Sequence, residues 1–198
     1  TLSFLDDYAI WAESLLALSS LSDWIMPDSS AHYVELAEKI TLSALEKFKD
    51  KQTCGFYFNE KSTNNPAQVQ KKFWYDNATP SANSSLLRVF STLYQITSKD
   101  LWIKEYRKAQ AGYTQFCRKA PQGVGHALCA ITEEAVGIST LNCPPDQTDA
   151  VVRELSHYPY RPIFIFSNNR DKTAVLEIGK SFTEKSDNAV ELIKKIFS

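Results

Sequence analysis

The sequence predicts a mainly α fold of antiparallel helix hairpins, followed by a small α/β segment at the C-terminus. Three observations carry this reading. Apolar residues recur with the helix period through most of residues 5–137, at i, i+3, i+4 and i+7. Glycine is scarce, 6 residues in 198, which argues against a hairpin-rich β fold. Beyond Cys143-Pro144-Pro145 the pattern changes to short apolar runs bounded by turn signals. The chain therefore divides into a helical portion at 1–143 and a tail at 144–198.

The elements follow in order. Leu5, Tyr8, Ala9, Ala12, Leu15 and Leu16 make the first helical stripe, with Asp6 and Asp7 in the first turn, where the helix dipole favours carboxylates. Pro27-Asp28 is expected to open a second helix with Tyr33, Ala37, Ile40, Ala44 and Phe48 on one face. The aromatic run Gly55-Phe56-Tyr57-Phe58-Asn59 suits an extended strand, and the polar stretch 59–72, with Asn64-Asn65-Pro66, suits a loop. A third helix carries Leu86, Leu87, Phe90, Leu93 and Tyr94, with Thr79 as its cap and Pro80 in its first position. Ser98 is expected to cap a fourth helix with Trp102, Tyr106, Ala109, Tyr113 and Phe116 inward, which Pro121 closes. A fifth, with Val124, Leu128, Ile131 and Ala135, runs to Gly137. In the tail, Val151, Val152 and Leu155 suggest a short helix. Arg161-Pro162-Ile163-Phe164-Ile165-Phe166 reads as a buried strand whose partner must come from elsewhere. Ser186-Asp187 should cap a last helix with Ala189, Leu192, Ile193, Ile196 and Phe197.

Composition removes several function classes. The 198 residues are 43% hydrophobic and 12% aromatic, enough for a sizeable core. A net charge of −1 gives no basic field for nucleic acid or anionic membrane, and no apolar run approaches the roughly 20 residues of a membrane span. No GxGxxG or GxxxxGK[ST] pattern occurs, and no cofactor or metal is expected. Cys54, Cys117, Cys129 and Cys143 are widely spaced without a CxxC pair, which fits a reducing cytoplasm. Cys117 and Cys129, within apolar stripes, read as buried thiols, and Cys54 as the exposed one. Lys71-Lys72 reads as solvated loop charge. The chain begins Thr1-Leu2-Ser3, and a fragment of a longer protein is expected.

The segment from Trp74 to Ser84 is the richest in chemistry. It places Trp74, Tyr75, Asp76, Asn77, Ser81 and Asn83 at a helix mouth, where unpaired N–H groups attract anions and hydroxyls. Trp74 and Tyr75 add aromatic faces and Asp76, Asn77 and Asn83 polar groups, so the segment looks like a site without naming its ligand. Asp7 and Tyr8 open the first helix in the same manner. A faint repeat links the two: Leu15-Leu16 precedes Asp23-Trp24, and Leu86-Leu87 precedes Asp100-Leu101-Trp102. Repeated antiparallel pairs stack into solenoids or close into toroids. The reading is then a partial (α/α) toroid whose inner helices open toward one funnel. Of the histidines, His126 reads as a packing or capping residue and His32 and His157 as surface positions.

Phe4-Leu5-Asp6-Asp7-Tyr8-Ala9, Gly55-Phe56-Tyr57-Phe58 and Asp76-Asn77-Ala78-Thr79-Pro80-Ser81-Ala82-Asn83-Ser84, in this order, resemble the C-terminal part of the spermatogenesis-associated protein 20 family. The resemblance spans roughly residues 4–137 and, in outline, the tail. It implies an (α/α) toroid similar to N-acylglucosamine 2-epimerases and six-hairpin glycosidases, downstream of a thioredoxin-like domain. That domain and its cysteine motif lie outside this sequence, about half the toroid's helices are present, and Ala82 stands where the family usually has glycine. The epimerases' paired catalytic histidines have no counterpart motif. The resemblance therefore implies a carbohydrate-binding or carbohydrate-processing cleft, with catalytic residues unassigned. The alternative is a non-catalytic helical scaffold supporting the thioredoxin-like domain. Half a toroid would expose an apolar flank, so either a missing N-terminal segment or self-association is expected.

Overall fold

The computed structural model describes residues 3–26, 29–60, 69–158, 163–167 and 172–197. The protein is mainly helical, with a small mixed sheet near its C-terminus. It divides into two compact units, Thr1–Leu16 with Glu35–Ala135, and Ala17–Val34 with Val136–Ser198. Residues 139–143, expected in the helical portion, form β1, an inner strand of the sheet.

In the first unit, α1 (Leu5–Ile25) begins with its expected apolar stripe, and Leu5, Ala9, Ala12, Leu15 and Leu16 are buried. The end of α2 (Ser30–Phe48) packs against that start. The Tyr8 and Phe48 rings meet edge to face at 5.1 Å, and Lys47 Nζ donates to the Tyr8 hydroxyl at 2.8 Å. The inward row of α2 includes Ala37, Thr41, Ala44 and Phe48; Ile40 is only half-buried. The 55–59 run forms no strand. It is held by isolated bridges, Phe4 with Asn59 and Lys49 with Phe56, because it crosses between helices where no strand lies alongside. Asn64, Asn65 and Pro66 lie outside the described residues.

α3 (Ala82–Thr97) runs through the centre and is buried on nearly every side. Its cap is Ser81, not Thr79: the Ser81 hydroxyl accepts the Ser84 N–H, two residues closer to the apolar stripe than expected. Ser98 does not cap α4 (Asp100–Lys119). It closes α3 in the left-handed conformation (φ 57°), donating its N–H to Tyr94 O at 2.9 Å, and Lys99 precedes α4 without a side-chain cap. α4 runs antiparallel to α3, with Tyr113 at the Ser81 end and Trp102 stacked on Phe90 at the other. Pro121 stops α4 and opens a short 3-10 turn at Pro121–Gly123. α5 (Gly125–Val136) turns a different face inward from the one expected. Ala127, Ala130 and Glu133 are buried behind Val124, while Leu128 and Ile131 are half-buried and Ala135 is exposed. Small residues let α5 approach the core closely, so the bulkier stripe points aside.

The second unit contains the last turns of α1 and the first turn of α2. Pro27 and Asp28 lie outside the described residues, and α2 opens at Ser30. Asp23 serves as its cap from the preceding helix: Oδ1 accepts the Ser30 N–H at 2.7 Å and Oδ2 the Ser30 hydroxyl at 2.6 Å. Asp23 and Trp24 thus end α1, whereas Asp100 and Trp102 begin α4, so the two halves of the sequence repeat are not equivalent positions.

The sheet has order β2-β1-β3-β4, formed by β1 (Ser139–Cys143), β2 (Ile163–Ser167), β3 (Ala174–Ile178) and β4 (Phe182–Ser186). β1 pairs parallel to β2, with Leu141 opposite Ile165, and antiparallel to β3, with Leu141 opposite Leu176. The connection from β1 to β2 is α6 (Pro145–Leu155), the crossover that a parallel pair requires. β2 is therefore an edge strand with only Ile165 and Ser167 buried, not a fully buried one; Arg161 and Pro162 lie outside the described residues. α7 (Ala189–Phe197) buries Ala189, Leu192, Ile193 and Ile196, which join Val151 of α6 on Leu141, Ile165 and Leu176. Its start is set by Asn188, whose side chain accepts the Val190 N–H at 3.1 Å, rather than by Ser186.

Candidate functional site

The mouth of the first unit contains a cavity of about 230 Å³ lined by the first residues of α1 and α3 and by the 73–80 loop. Four of the eight expected site residues line it: Tyr75, Asn77, Ser81 and Asn83. Asp7, Tyr8, Trp74 and Asp76 are not in its wall. Successive residues at the start of α1 point about 100° apart, so Asp6 enters the cavity while Asp7 is exposed. Tyr8 turns to Lys47, whose ammonium bond holds the phenol below its ordinary pKa.

Trp74 is a packing residue. Its ring stacks on Phe116 at 5.3 Å and meets Tyr113 edge-on at 5.0 Å. It fills the space above Gly55 and Gly112; a Cβ at either glycine would lie 2.5 Å from its ring. The wedge fixes the loop to α4.

Asp76 is the hub of the mouth. Oδ1 accepts the Ser81 N–H at 2.8 Å and the Ser84 hydroxyl at 2.9 Å, and Oδ2 accepts the His126 N–H at 2.9 Å. One carboxylate thus serves the N-termini of both α3 and α5, where free N–H groups concentrate positive potential. Ser81 Oγ lies 3.0 Å from the Tyr113 hydroxyl. Asn83 staples two loops: Oδ1 accepts the Phe56 N–H at 2.9 Å, and Nδ2 donates to Phe56 O and Phe73 O, both at 3.1 Å. The polar atoms of Asp76, Ser81 and Asn83 are committed to the fold. The other polar residues that line the cavity are Asp6, Tyr75, Asn77 and Thr79, beside the half-exposed ring of Phe73.

Burial, and secondarily the charge of Asp7, raises the Asp6 carboxyl above its ordinary pKa. The folded protein then binds the proton more tightly than the unfolded chain does. Stability is lost as pH rises from the unfolded value through the folded one, and the full deficit persists above it. Asp6→Asn should therefore raise the urea midpoint at pH 7 and leave it unchanged near pH 3. A midpoint that falls equally at both values would show that the carboxylate is not strained.

Deeper along the same three helices lies a charged cluster that the sequence did not suggest. Arg88 of α3 makes a two-pronged contact with Glu133 of α5, through Nε at 2.8 Å and Nη2 at 2.7 Å. Its Nη1 reaches Glu13 of α1 at 3.4 Å, and His126 Nε2 lies 3.0 Å from the same Glu13 oxygen. Burial pushes the Glu13 carboxyl up, but His126, Ser85 and Arg88 outweigh it and hold it below its ordinary pKa. His126 is thus a capping residue through its backbone N–H, and its ring lies beside Glu13. The available signal was Arg88, the one charge in the otherwise uncharged α3, and Glu13 within an apolar stretch of α1.

The remaining assignments divide. His32 and His157 are exposed, as expected. Cys54 is exposed, but so is Cys129, because α5 turns its other face inward, and Cys117 on α4 is half-buried; of the two read as buried, neither is. Lys72 is not solvated loop charge: its ammonium lies 2.6 Å from Asp50 Oδ2 and donates to Cys54 O at 2.8 Å. Among the described residues, no group of three or more His, Cys, Asp or Glu side chains is placed to hold a metal. No described helix is long and apolar enough to cross a membrane. No protein-family model and no curated protein matches the chain.

Proposed function

We propose that the mouth cavity binds a single sugar ring, and that the chain is the C-terminal toroid portion of a sugar-epimerase-like protein of the kind its motifs resemble. The observation that carries this reading is the cavity itself. It combines a half-exposed Tyr75 and Phe73 with a carboxylate, an amide and a hydroxyl from Asp6, Asn77 and Thr79. A sugar offers an apolar face and a rim of hydroxyls, and this pairing of rings with short polar groups answers both. Its volume, about 230 Å³, is below the roughly 300–1,000 Å³ of drug-sized sites, which suits one ring. α1, α3 and α5 all begin near this end, as alternate helices of a toroid do. A cytoplasmic location belongs to the same proposal, in keeping with four free thiols.

The reading is one of binding without epimerisation. Proton transfer on both faces of a sugar carbon needs two groups with pKa values near working pH. The cavity wall offers Asp6, while His126 is turned toward Glu13. Titration with N-acetylglucosamine, N-acetylmannosamine, glucose and mannose, followed by amide NMR, tests the proposal. Saturable shifts are expected at residues 5–7 and 75–79, weakened about tenfold in Tyr75→Ala and Asn77→Ala, or ~1.4 kcal/mol. No interconversion of the sugars should appear in the same samples. Absence of shifts, or equal shifts in both variants, would overturn it; turnover abolished by His126→Ala would overturn the non-catalytic part.

The second reading is a non-catalytic helical scaffold for a thioredoxin-like domain outside this chain. It is favoured by the inward commitment of Asp76, Ser81 and Asn83. Both readings include a cover for the exposed apolar side chains of α1, Ile10 and Trp11 in the first unit. An apolar face of this kind is normally buried by further chain or a second copy. Light scattering of the purified chain should show self-association that rises with concentration. A monomer at all concentrations would count against self-association as the cover.

A further inference from the structure

A second and larger cavity, about 610 Å³, lies in the first unit between the 49–56 loop and α4. We infer that it is a binding site for a small phosphate monoester with an apolar body. Its floor is apolar, built by Phe56 and Ala109, both buried. Its rim is cationic, and the charge balance explains why it stays so.

Both carboxylates in the wall are matched internally. Asp50 Oδ2 accepts Lys72 Nζ at 2.6 Å and the Thr53 hydroxyl at 2.5 Å, while Oδ1 accepts the Gln52 N–H at 2.8 Å. Glu105, almost fully buried, is bonded by Lys49 Nζ at 2.5 Å. Lys108 reaches the other Glu105 oxygen at 3.4 Å with its side chain largely in solvent, and Lys51 makes no ion pair with the described residues. Counting Lys72, which bonds Asp50 from outside the wall, four ammonium groups thus stand against two carboxylates, and the two least committed, Lys51 and Lys108, both line the cavity. Lysines act as point charges toward phosphate, and a positive rim over apolar walls concentrates the field in the cavity. The wall is preformed, because Trp74 wedges Gly55 against Gly112 behind it. The volume lies within the range of small-molecule sites.

Phenyl phosphate is the probe, with inorganic phosphate and neutral benzyl alcohol as the two halves of its chemistry. Amide NMR should show saturable shifts at 51–55 and 109–111 with phenyl phosphate, weaker ones with inorganic phosphate, and none with benzyl alcohol. Lys51→Glu/Lys108→Glu should weaken phenyl phosphate by about tenfold or more. Cys54 is exposed and in the cavity wall, so it provides an independent readout. In a Cys117→Ser/Cys129→Ser background, phenyl phosphate should slow its labelling by the neutral reagent dithiodipyridine in proportion to occupancy. Equal affinity in the charge-reversal variant, equal shifts with benzyl alcohol, or unprotected Cys54 would each overturn the assignment.

Discussion

Arg88→Ala should lower the stability of the protein by about 3 kcal/mol, read as a drop in urea midpoint at constant m. Arg88 is the only cation that meets Glu133 by hydrogen bonds among the described residues, and Glu133 retains only 11% side-chain exposure. Removing the guanidinium leaves that carboxylate buried without its partner and strips Glu13 of its Arg88 contact. The loss sits at the lower end of the ~3–5 kcal/mol known for breaking buried pairs, because the Arg88 side chain is still 24% exposed. Replacing both members, Arg88→Leu/Glu133→Leu, should recover most of the loss, since two apolar groups carry no desolvation cost. The pH dependence has a fixed sign for Glu13. Its lowered pKa contributes stability above the unfolded value, lost as pH falls through the folded one. Part of the Arg88→Ala defect should therefore fade under acid conditions. A double variant no more stable than Arg88→Ala would assign the loss to packing of the arginine stem.

The helical plan was legible because burial on a helix face imposes a period that needs no partner to be recognised. Leu5, Ala9 and Ala12, or Trp102, Tyr106, Ala109 and Tyr113, announce their inward faces directly. The sheet was not legible in the same way. β1 is Ser139-Thr140-Leu141-Asn142-Cys143 and β4 is Phe182-Thr183-Glu184-Lys185-Ser186, neither with an apolar run. They are strands because β2 and β3 lie beside them, a tertiary cause that a local pattern does not carry. α5 failed for a related reason: its small residues face the core, and the bulkier Leu128 and Ile131 do not.

The candidate site shows the same limit at the level of single atoms. The Trp74–Ser84 segment does sit at a helix mouth, but its residue types fit two uses equally well. An Asp or Asn beside free N–H groups can bind a ligand or bind the helix itself. Ser81, Asp76 and Asn83 took the second course. Asp6 rather than Asp7 reached the cavity, which a one-residue difference in helix phase decides.

Asp76→Ala is expected to cost a further large amount, about 3 kcal/mol, because hydrogen bonds to a charged acceptor are worth ~1.5–3 kcal/mol each and three end on this carboxylate. The damage should be local as well as global. With Oδ2 gone, the His126 N–H at the start of α5 has no acceptor, and the first turn should fray. With Oδ1 gone, Ser81 loses the bond that fixes it as the cap of α3. Amide exchange at 126–128 and 81–84 should accelerate ahead of global unfolding. Asp76→Asn is the discriminating control. Its single carbonyl oxygen can serve Ser81 and Ser84 as Oδ1 does, but its amide nitrogen cannot accept from His126. It should therefore lose roughly half as much, with the faster exchange confined to the start of α5. Asp76→Ala with protection unchanged at both helix starts would mean that the loop, through the Asp76 N–H bond to Gly123 O at 2.8 Å, holds α5 without the carboxylate. In that event the carboxylate would be free for a ligand, and Asp76 would return to the candidate site from which its present hydrogen bonds withdraw it.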